Sequence, residues 1–290
     1  MPSSILSIAF IFLWSSAFIS AKAIMADATA FAALALRFGI VGIGFWLIGL
    51  VFSKNVKLSR DAFFHSAITG MLLHGFYLGG VFWALSHGMQ ATIAALIISL
   101  QPVFTALLAG PLLKEQITAL QWIGIILGFV GTLIVIGFDI GKTIPIAGLI
   151  ICFLALAAAI TGTLYQKKYG QNIPLLPANK IQAFAAALLH LFLLSLFETP
   201  SISLTSNFII GMSWQIFAVS FAAYIMLLIL LARGTASQTS SLLFLIAPVA
   251  AVQGWAILGE HLNQTDIAGL FLASIGVFLA TRQKRAKAMS

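Results

Sequence analysis

Charged residues are scarce in this sequence, and their scarcity sets the class of protein. Only 8% of the 290 residues are charged, whereas 61% are hydrophobic and the mean hydropathy is +1.09. An ordinary soluble domain carries roughly 25% charged residues, so this chain lacks the polar side chains needed to cover a surface that faces water. Its apolar runs are long and unbroken, whereas barrel strands would be short and alternating. The composition therefore predicts an all-α polytopic membrane protein.

Cysteine and the signatures of common enzymes are nearly absent. The single cysteine, Cys152, lies in an apolar run, which excludes a disulfide framework or a cysteine metal site. No Walker motif, zinc-binding pair or nucleophile elbow occurs. We therefore expect a protein that is not an enzyme and that uses no cofactor or metal. The net charge of +8 comes from short loops and the C-terminus, so it does not predict nucleic-acid binding.

Acidic residues are missing from the middle of every apolar segment. Ionisable residues inside a membrane are usually functional, and a proton-driven extruder of cations would be expected to hold a carboxylate there. Cationic drugs are therefore poorly supported as substrates.

What the sequence does contain is an internal repeat. The stretch GMQATIAALIISLQPVFTALLAGPLLKEQITALQWIGIILGFVG covers 88–131, and 234–276 repeats its pattern. Pro102 recurs 146 residues later as Pro248, and Glu115 recurs 145 residues later as Glu260. Self-similarity at a fixed offset indicates a duplicated unit. The sequence predicts a first repeat over 1–142 and a second over 143–290.

Ten apolar segments follow one another, each near the ~20 residues needed to cross a bilayer. They are about 4–25, 30–52, 63–86, 91–113, 118–138, 145–167, 178–197, 209–232, 237–259 and 264–282. The first is interpreted as a retained helix, since no Lys or Arg precedes it as in a signal peptide. Five segments in each half give the halves opposite orientations in the membrane. Two five-helix inverted repeats are common among secondary transporters.

Basic residues indicate the orientation of the chain. With the N-terminus in the cytoplasm, twelve Lys and Arg residues fall in inner loops or the C-terminal tail, and two, Lys22 and Lys142, fall outside. Cytoplasmic loops carry an excess of Lys and Arg. The distribution therefore predicts that both termini are cytoplasmic.

Polar side chains within apolar segments are functional candidates, because they are costly in a membrane. We expect substrate contacts from Trp14, Arg37, His74, Tyr77, Ser99, Gln101, Tyr224 and Gln253. His74 and Tyr77 are three residues apart and share a helix face, although His74 could instead serve only helix packing. Arg37 could bind a carboxylate or extend to the outer interface. Because histidine titrates near neutrality, His74 is also the candidate for proton coupling.

Three duplicated features have expected structural roles. Pro102 and Pro248 are predicted to bend equivalent helices and act as hinges, with a static kink as the alternative. Small residues in segments 5 and 10 predict close helix packing; they are Gly124, Gly128, Gly131, Gly269, Ala273 and Gly276. The glutamates Glu115 and Glu260 lie at loop edges, where capping or loop pairing is expected.

The residues from Ala84 to Ile136, and their second copy through Thr281, resemble the ten-helix EamA branch of the drug/metabolite transporter superfamily. In that family each half ends in this helix–Pro–helix–Glu–helix–Gly pattern. The resemblance is strong in segments 3–5 and 8–10 and weak in segments 1–2 and 6–7. It implies a central cavity lined by segments 1–4 and 6–9, with segments 5 and 10 peripheral.

The resemblance also implies function. It implies export of small metabolites from the bacterial cytoplasm by alternating access across the inner membrane, and the His74/Tyr77 pair with Trp14 looks most like exporters of neutral and aromatic amino acids. The implied partners are the small-molecule substrate and membrane lipid, with protons as a candidate coupling ion and a monomer or weak homodimer as the assembly. The alternatives are a same-fold exporter of drugs or other amphipathic metabolites, and a non-transporting membrane protein.

Overall fold

The computed structural model of the protein is almost entirely helical. It describes residues 3–52, 57–113, 118–137, 144–170, 172–233 and 245–281. Over these ranges the backbone forms no β-strand, and an isolated bridge pairs Ala28 with Ile202. The helices are α1 Ser3–Ile24, α2 Ala30–Phe52, α3 Arg60–Ser86, α4 Ala91–Ser99, α5 Gln101–Leu113, α6 Ala119–Gly137, α7 Ile146–Tyr169, α8 Leu175–Phe197, α9 206–233, α10 Ile246–Leu258 and α11 Gln264–Thr281.

Among the described helices, six are long and apolar enough to cross a membrane. They are α1, α2, α3, α7, α8 and α9. Four shorter apolar helices lie in α4–α5, α6, α10 and α11. Many large apolar side chains on their outer surfaces are exposed, including Phe52 at 77% and Phe271 at 70%. Such a surface is stable only against lipid. The chain is therefore a multi-pass helical membrane protein. Of the ninth predicted segment, residues 237–244 lie outside the described ranges.

Polar side chains at helix starts explain where several helices begin. Ser59 accepts a hydrogen bond from the Ala62 N–H at 3.1 Å, and Thr205 accepts one from the Phe208 N–H at 3.1 Å. Such caps satisfy N–H groups that the first turn leaves free. At the start of α4, the Glu260 carboxylate accepts from the Ala91 and Thr92 N–H groups and from the Thr92 hydroxyl. Glu260 thus has the expected capping role, while its counterpart Glu115 lies outside the described residues.

Helices α6 and α11 pack tightly against each other and only loosely against the rest. Their glycines make this possible: a Cβ atom added to Gly276 would overlap the backbone of Gly128, and one on Gly131 would overlap that of Ala273. Small residues allow the backbones of membrane helices to approach closely. The predicted packing role of these glycines is confirmed.

The other helices of the first half pack against helices of the second half. Helix α2 packs along α8, and α3 packs against α7 and α8, while α1 packs against α9 and α10. Gly70 of α3 lies against the backbone of Gln182 in α8, and a Cβ there would collide with it. This close approach brings the polar side chains of α2, α3, α8 and α9 together in the interior.

Wide π-helical turns occur within the long helices. In α3 they cover Met71–Phe76, in α9 Trp214–Ala223, and in α10 Gly254–Leu258. The first stretch, moved by the repeat offset of 146 residues, falls within the second. Such turns are rare and are often found at functional sites. The two helices that supply His74 and Tyr224 therefore share an irregularity at corresponding positions.

The two prolines lie at helix starts. Leu100 (φ −75°, ψ −12°) separates α4 from α5, so Pro102 is the second residue of α5. Leu245 (φ −81°, ψ −8°) directly precedes α10, where Pro248 is the third residue. A proline in a first turn removes an N–H that the helix would leave free. The structure thus shows a one-residue interruption of the segment 4 helix at Leu100, two residues before Pro102, and the hinge role of the two prolines stays a prediction.

Candidate functional site

A buried arginine defines the interior of the protein. Arg37 lies in the apolar sequence of α2, about 10 Å from the start of that helix at a rise of 1.5 Å per residue. Its side chain is 5% exposed, so it does not extend to the interface. The guanidinium donates from Nε and Nη2 to the Ser220 Oγ atom in α9, at 3.2 and 3.0 Å. The Ser220 hydroxyl donates in turn to the Gln215 carbonyl oxygen at 2.9 Å.

His74 and Tyr77 of α3 lie beside this arginine. The guanidinium interacts electrostatically with both side chains. The His74 ring lies 5.2 Å from the Phe38 ring, centroid to centroid, and lies near the side chain of Gln182 in α8. Because His74 stands in the π-helical part of α3, the wide turn helps set its direction. The structure thus brings together three of the predicted site residues.

We call Arg37, His74, Tyr77, Gln182 and Ser220 the polar centre. Its two cross-helix contacts join corresponding positions of the two halves. Arg37 and Gln182 are each the eighth residue of their helices, α2 and α8, and Ser220 follows His74 by the repeat offset of 146 residues. In each contact one residue comes from the first half and one from the second. The polar centre therefore lies where the two halves meet.

The positive charge of Arg37 has no acidic partner among the described residues. Four of the five described acidic residues accept hydrogen bonds from other groups, and the fifth is exposed in the first turn of α3. They are Asp27, Glu198, Glu260, Asp266 and Asp61. Buried charges are normally paired or hydrogen-bonded. A half-satisfied guanidinium suits an anionic ligand, because arginine binds carboxylates through two parallel hydrogen bonds.

A second histidine borders the polar centre. His190 of α8 is fully buried and contacts the Gly75 carbonyl oxygen through Nε2 at 3.3 Å. Its ring stacks 5.8 Å from that of Phe38, which also contacts His74. Within the described structure its Nδ1 atom has no hydrogen-bond partner. Phe38 of α2 thus lies against both imidazoles.

The other predicted contact residues make hydrogen bonds to groups outside the polar centre. Gln101 donates to the Thr163 hydroxyl at 2.8 Å, between α5 and α7. Tyr224 accepts from the Asn179 amide at 3.0 Å, between α9 and α8. Ser99 donates to the carbonyl oxygen of Leu96 in its own helix at 2.7 Å. These three side chains stabilise helix contacts or their own helix in this structure.

Trp14 and Gln253 lie on the α1 side of the molecule. Trp14 packs against Phe10 at 5.3 Å between ring centroids and borders the hydrophobic cores shared by α1, α9 and α10. The Gln253 amide donates to the Phe12 carbonyl oxygen at 3.2 Å, and its own oxygen is buried without a partner in the described structure. Both side chains therefore lie at the interface of α1 with the second half.

Gln182 and Ser220 are site residues that the sequence analysis missed. An isolated amide or hydroxyl in an apolar helix usually bonds its own backbone, so none was singled out as a ligand group. The repeat was the available signal, because its offset of 146 residues relates His74 to Ser220 and places the counterpart of Arg37 next to Gln182.

A buried polar centre enclosed by membrane-spanning helices is typical of a membrane transporter. The sequence matches the model of the EamA-like transporter family over residues 1–137 and again over 146–282. The chain therefore belongs to the EamA-like transporter family of the drug/metabolite transporter superfamily.

Individual relatives agree with this membership. The chain is 28% identical over 259 residues to the uncharacterized transporter YyaM of Bacillus subtilis, covering 85% of this chain and 83% of the relative. It is 27% identical over 209 residues to a probable amino-acid metabolite efflux pump of Salmonella typhimurium, covering 69% and 70%. A solved crystal structure superposes with a TM-score of 0.68 over 96% of each chain at 18% identity, which shows the shared fold alone.

Proposed function

We propose that this protein exports small amphipathic carboxylate metabolites across the bacterial inner membrane, with neutral and aromatic amino acids as the first candidates. The observation that carries the proposal is the buried, partly satisfied guanidinium of Arg37 at the meeting point of the two halves. Family membership supports transport of a metabolite. The amino-acid assignment draws on the Salmonella relative, whose name describes an amino-acid metabolite efflux pump.

The transport cycle we propose is alternating access between two inverted five-helix halves, with ten spans and both termini in the cytoplasm. The repeat supports this arrangement, as do the shared π-helical turns and the matched helix starts at Pro102 and Pro248. These irregular stretches are places where a helix can change direction with few hydrogen bonds to break. A single chain contains both halves, so a monomer suffices for the cycle.

In this proposal the polar centre binds the head group of the substrate. Arg37 binds the carboxylate, while His74 and Gln182 offer hydrogen bonds beside it. Tyr77 provides an apolar ring wall, since it packs against the main hydrophobic core. Trp14 would contact the apolar part of the substrate after a movement of α1. Gln101, Tyr224 and Gln253 would join the site only if their present hydrogen bonds open.

Counterflow in proteoliposomes tests the function. Vesicles are loaded with an unlabelled neutral or aromatic amino acid, and uptake of the labelled compound is followed without an imposed gradient. We expect uptake that excess external unlabelled compound abolishes. Arg37→Gln should remove this uptake, whereas Arg60→Gln, which removes an exposed positive charge at the start of α3, should retain it. Absence of uptake by folded wild-type protein, with amino acids and other amphipathic carboxylates alike, would refute the proposal.

A same-fold exporter of cationic drugs has no supporting observation in the described structure. The interior offers a guanidinium, which repels a cation, and the described acidic residues are engaged or exposed elsewhere.

A further inference from the structure

The charge balance of the polar centre restricts its ligand further. Arg37 contributes one positive charge, and no acidic residue of the described helices offsets it. The sequence adds that no Asp or Glu lies mid-segment anywhere in the chain. Tyrosine is uncharged near neutral pH, and protonation of His74 would only add positive charge. The empty site therefore has a net charge of at least +1.

A zwitterion matches this charge less well than a monoanion. Its carboxylate could bind the guanidinium, but its ammonium would be buried a few ångströms away with no opposite charge beside it. Buried charges are unfavourable unless they are paired, and the two cations would repel each other in a region of low dielectric constant. A ligand with a single negative charge and no ammonium leaves the occupied site neutral.

An ammonium would also demand more of the hydrogen-bond acceptors of the site than a hydroxyl does. The Ser220 oxygen already accepts from Arg37. Nearby, the buried Gln215 side-chain oxygen has no partner in the described structure, but the amide of that residue faces α1, where it donates to the Ala17 carbonyl oxygen and the Ser20 hydroxyl. An ammonium requires up to three acceptors, whereas a hydroxyl in its place requires one.

Resting on the proposed function, we infer that the preferred substrates are monoanionic carboxylates without an ammonium group, such as 2-hydroxy or N-acyl acids with an apolar side chain. Each transport event then moves one net negative charge across the membrane. A membrane potential that is negative inside drives an anion outward. Export of such a substrate therefore needs no coupled proton.

Three compounds with one phenyl side chain separate the charge states. Phenyllactate carries only the carboxylate, phenylalanine carries both groups, and phenylalaninol carries only the ammonium. Each is tested at pH 7.5 as an external competitor of labelled phenyllactate counterflow, with protein-free liposomes to subtract passive leakage. We expect phenyllactate to compete at a concentration at least tenfold below that of phenylalanine, and phenylalaninol not to compete.

An imposed potential tests the transported charge. With potassium gradients and valinomycin, a potential of about 59 mV supports a tenfold concentration ratio of a singly charged solute. We expect labelled phenyllactate to accumulate on the positive side to that extent, and Arg60→Gln to behave like the wild type. Arg37→Gln should take up no labelled phenyllactate at either potential.

The outcomes distinguish the inference from the proposed function. If phenylalanine is exchanged more readily than phenyllactate, or if phenyllactate transport does not respond to the potential, the inference is wrong while carboxylate export stands. If folded protein exchanges none of the three compounds nor any other amphipathic carboxylate, both are wrong.

Discussion

The Nη2 atom of Arg37 lies 3.0 Å from the Oγ atom of Ser220, and this hydrogen bond joins α2 of the first half to α9 of the second. The same oxygen also accepts from Nε, so the serine holds one edge of the guanidinium. The recorded hydrogen bonds of the guanidinium come from Nε and Nη2 and both go to this one serine. The arginine is thus positioned by the protein while part of its hydrogen-bonding capacity remains available to a ligand.

Replacing Ser220 should weaken substrate binding without removing the charge. A hydrogen bond to a charged group contributes about 1.5–3 kcal/mol, and Ser220→Ala leaves Arg37 free to adopt other directions. We expect the half-saturation concentration in counterflow to rise roughly tenfold, since 1.4 kcal/mol corresponds to a factor of ten. Ser220→Thr, which keeps a hydroxyl, is the control. Unchanged half-saturation in Ser220→Ala would show that the serine does not position the arginine for binding.

His74 offers a separate test of proton involvement. Its ring lies near Gln182 and Arg37, so a change of its protonation alters the charge of the polar centre. If His74 takes part in substrate binding, His74→Ala should reduce both affinity and transport. His74→Gln keeps a hydrogen-bonding group but cannot titrate, so it should retain transport with the same pH profile as the wild type between pH 5.5 and 8, because no proton is coupled to export. A pH profile that flattens in His74→Gln would show instead that protonation of His74 takes part in transport.

The glycine contact between α6 and α11 predicts a stability effect away from the site. A methyl group on Gly276 would overlap the backbone of Gly128, which cannot move aside as a side chain could. Overpacking typically costs about 1–3 kcal/mol. Gly276→Ala should therefore lower the melting temperature of the purified protein in detergent by several degrees. Gly49→Ala is the matched control in α2, because no atom lies within 4 Å of its added methyl.

The cap made by Glu260 predicts an effect at the predicted outer end of the protein. Its carboxylate accepts the first N–H groups of α4, where the helix dipole also favours a negative charge. Loss of a helix cap costs about 0.5–2 kcal/mol, so Glu260→Ala should lower the melting temperature. Asp61→Asn, at an exposed position of α3, should not. Equal melting temperatures for Glu260→Ala and the wild type would contradict the capping role.

The sequence predicted the fold better than the detailed site, for physical reasons. Apolar runs of membrane length are unambiguous, and Arg37, His74 and Tyr77 are conspicuous because charged and aromatic polar groups are rare in such runs. Gln182 and Ser220 are weaker signals, since neutral polar residues in helices commonly bond their own backbone, as Ser99 does. The hydrogen bond from Gln101 to Thr163 depends on the packing of α5 against α7. No local sequence pattern predicts that packing.

The cross-half pairing of the polar centre bears on whether either half of the chain could exist alone. Arg37 contacts Ser220, and His74 lies near Gln182, so each half supplies one member of each pair. Residues 1–137 expressed alone would bury a guanidinium in lipid with neither serine nor ligand beside it. Residues 144–290 alone would leave two polar side chains without their partners. The two pieces produced together in one cell should reassemble a working protein, whereas either piece by itself should be degraded.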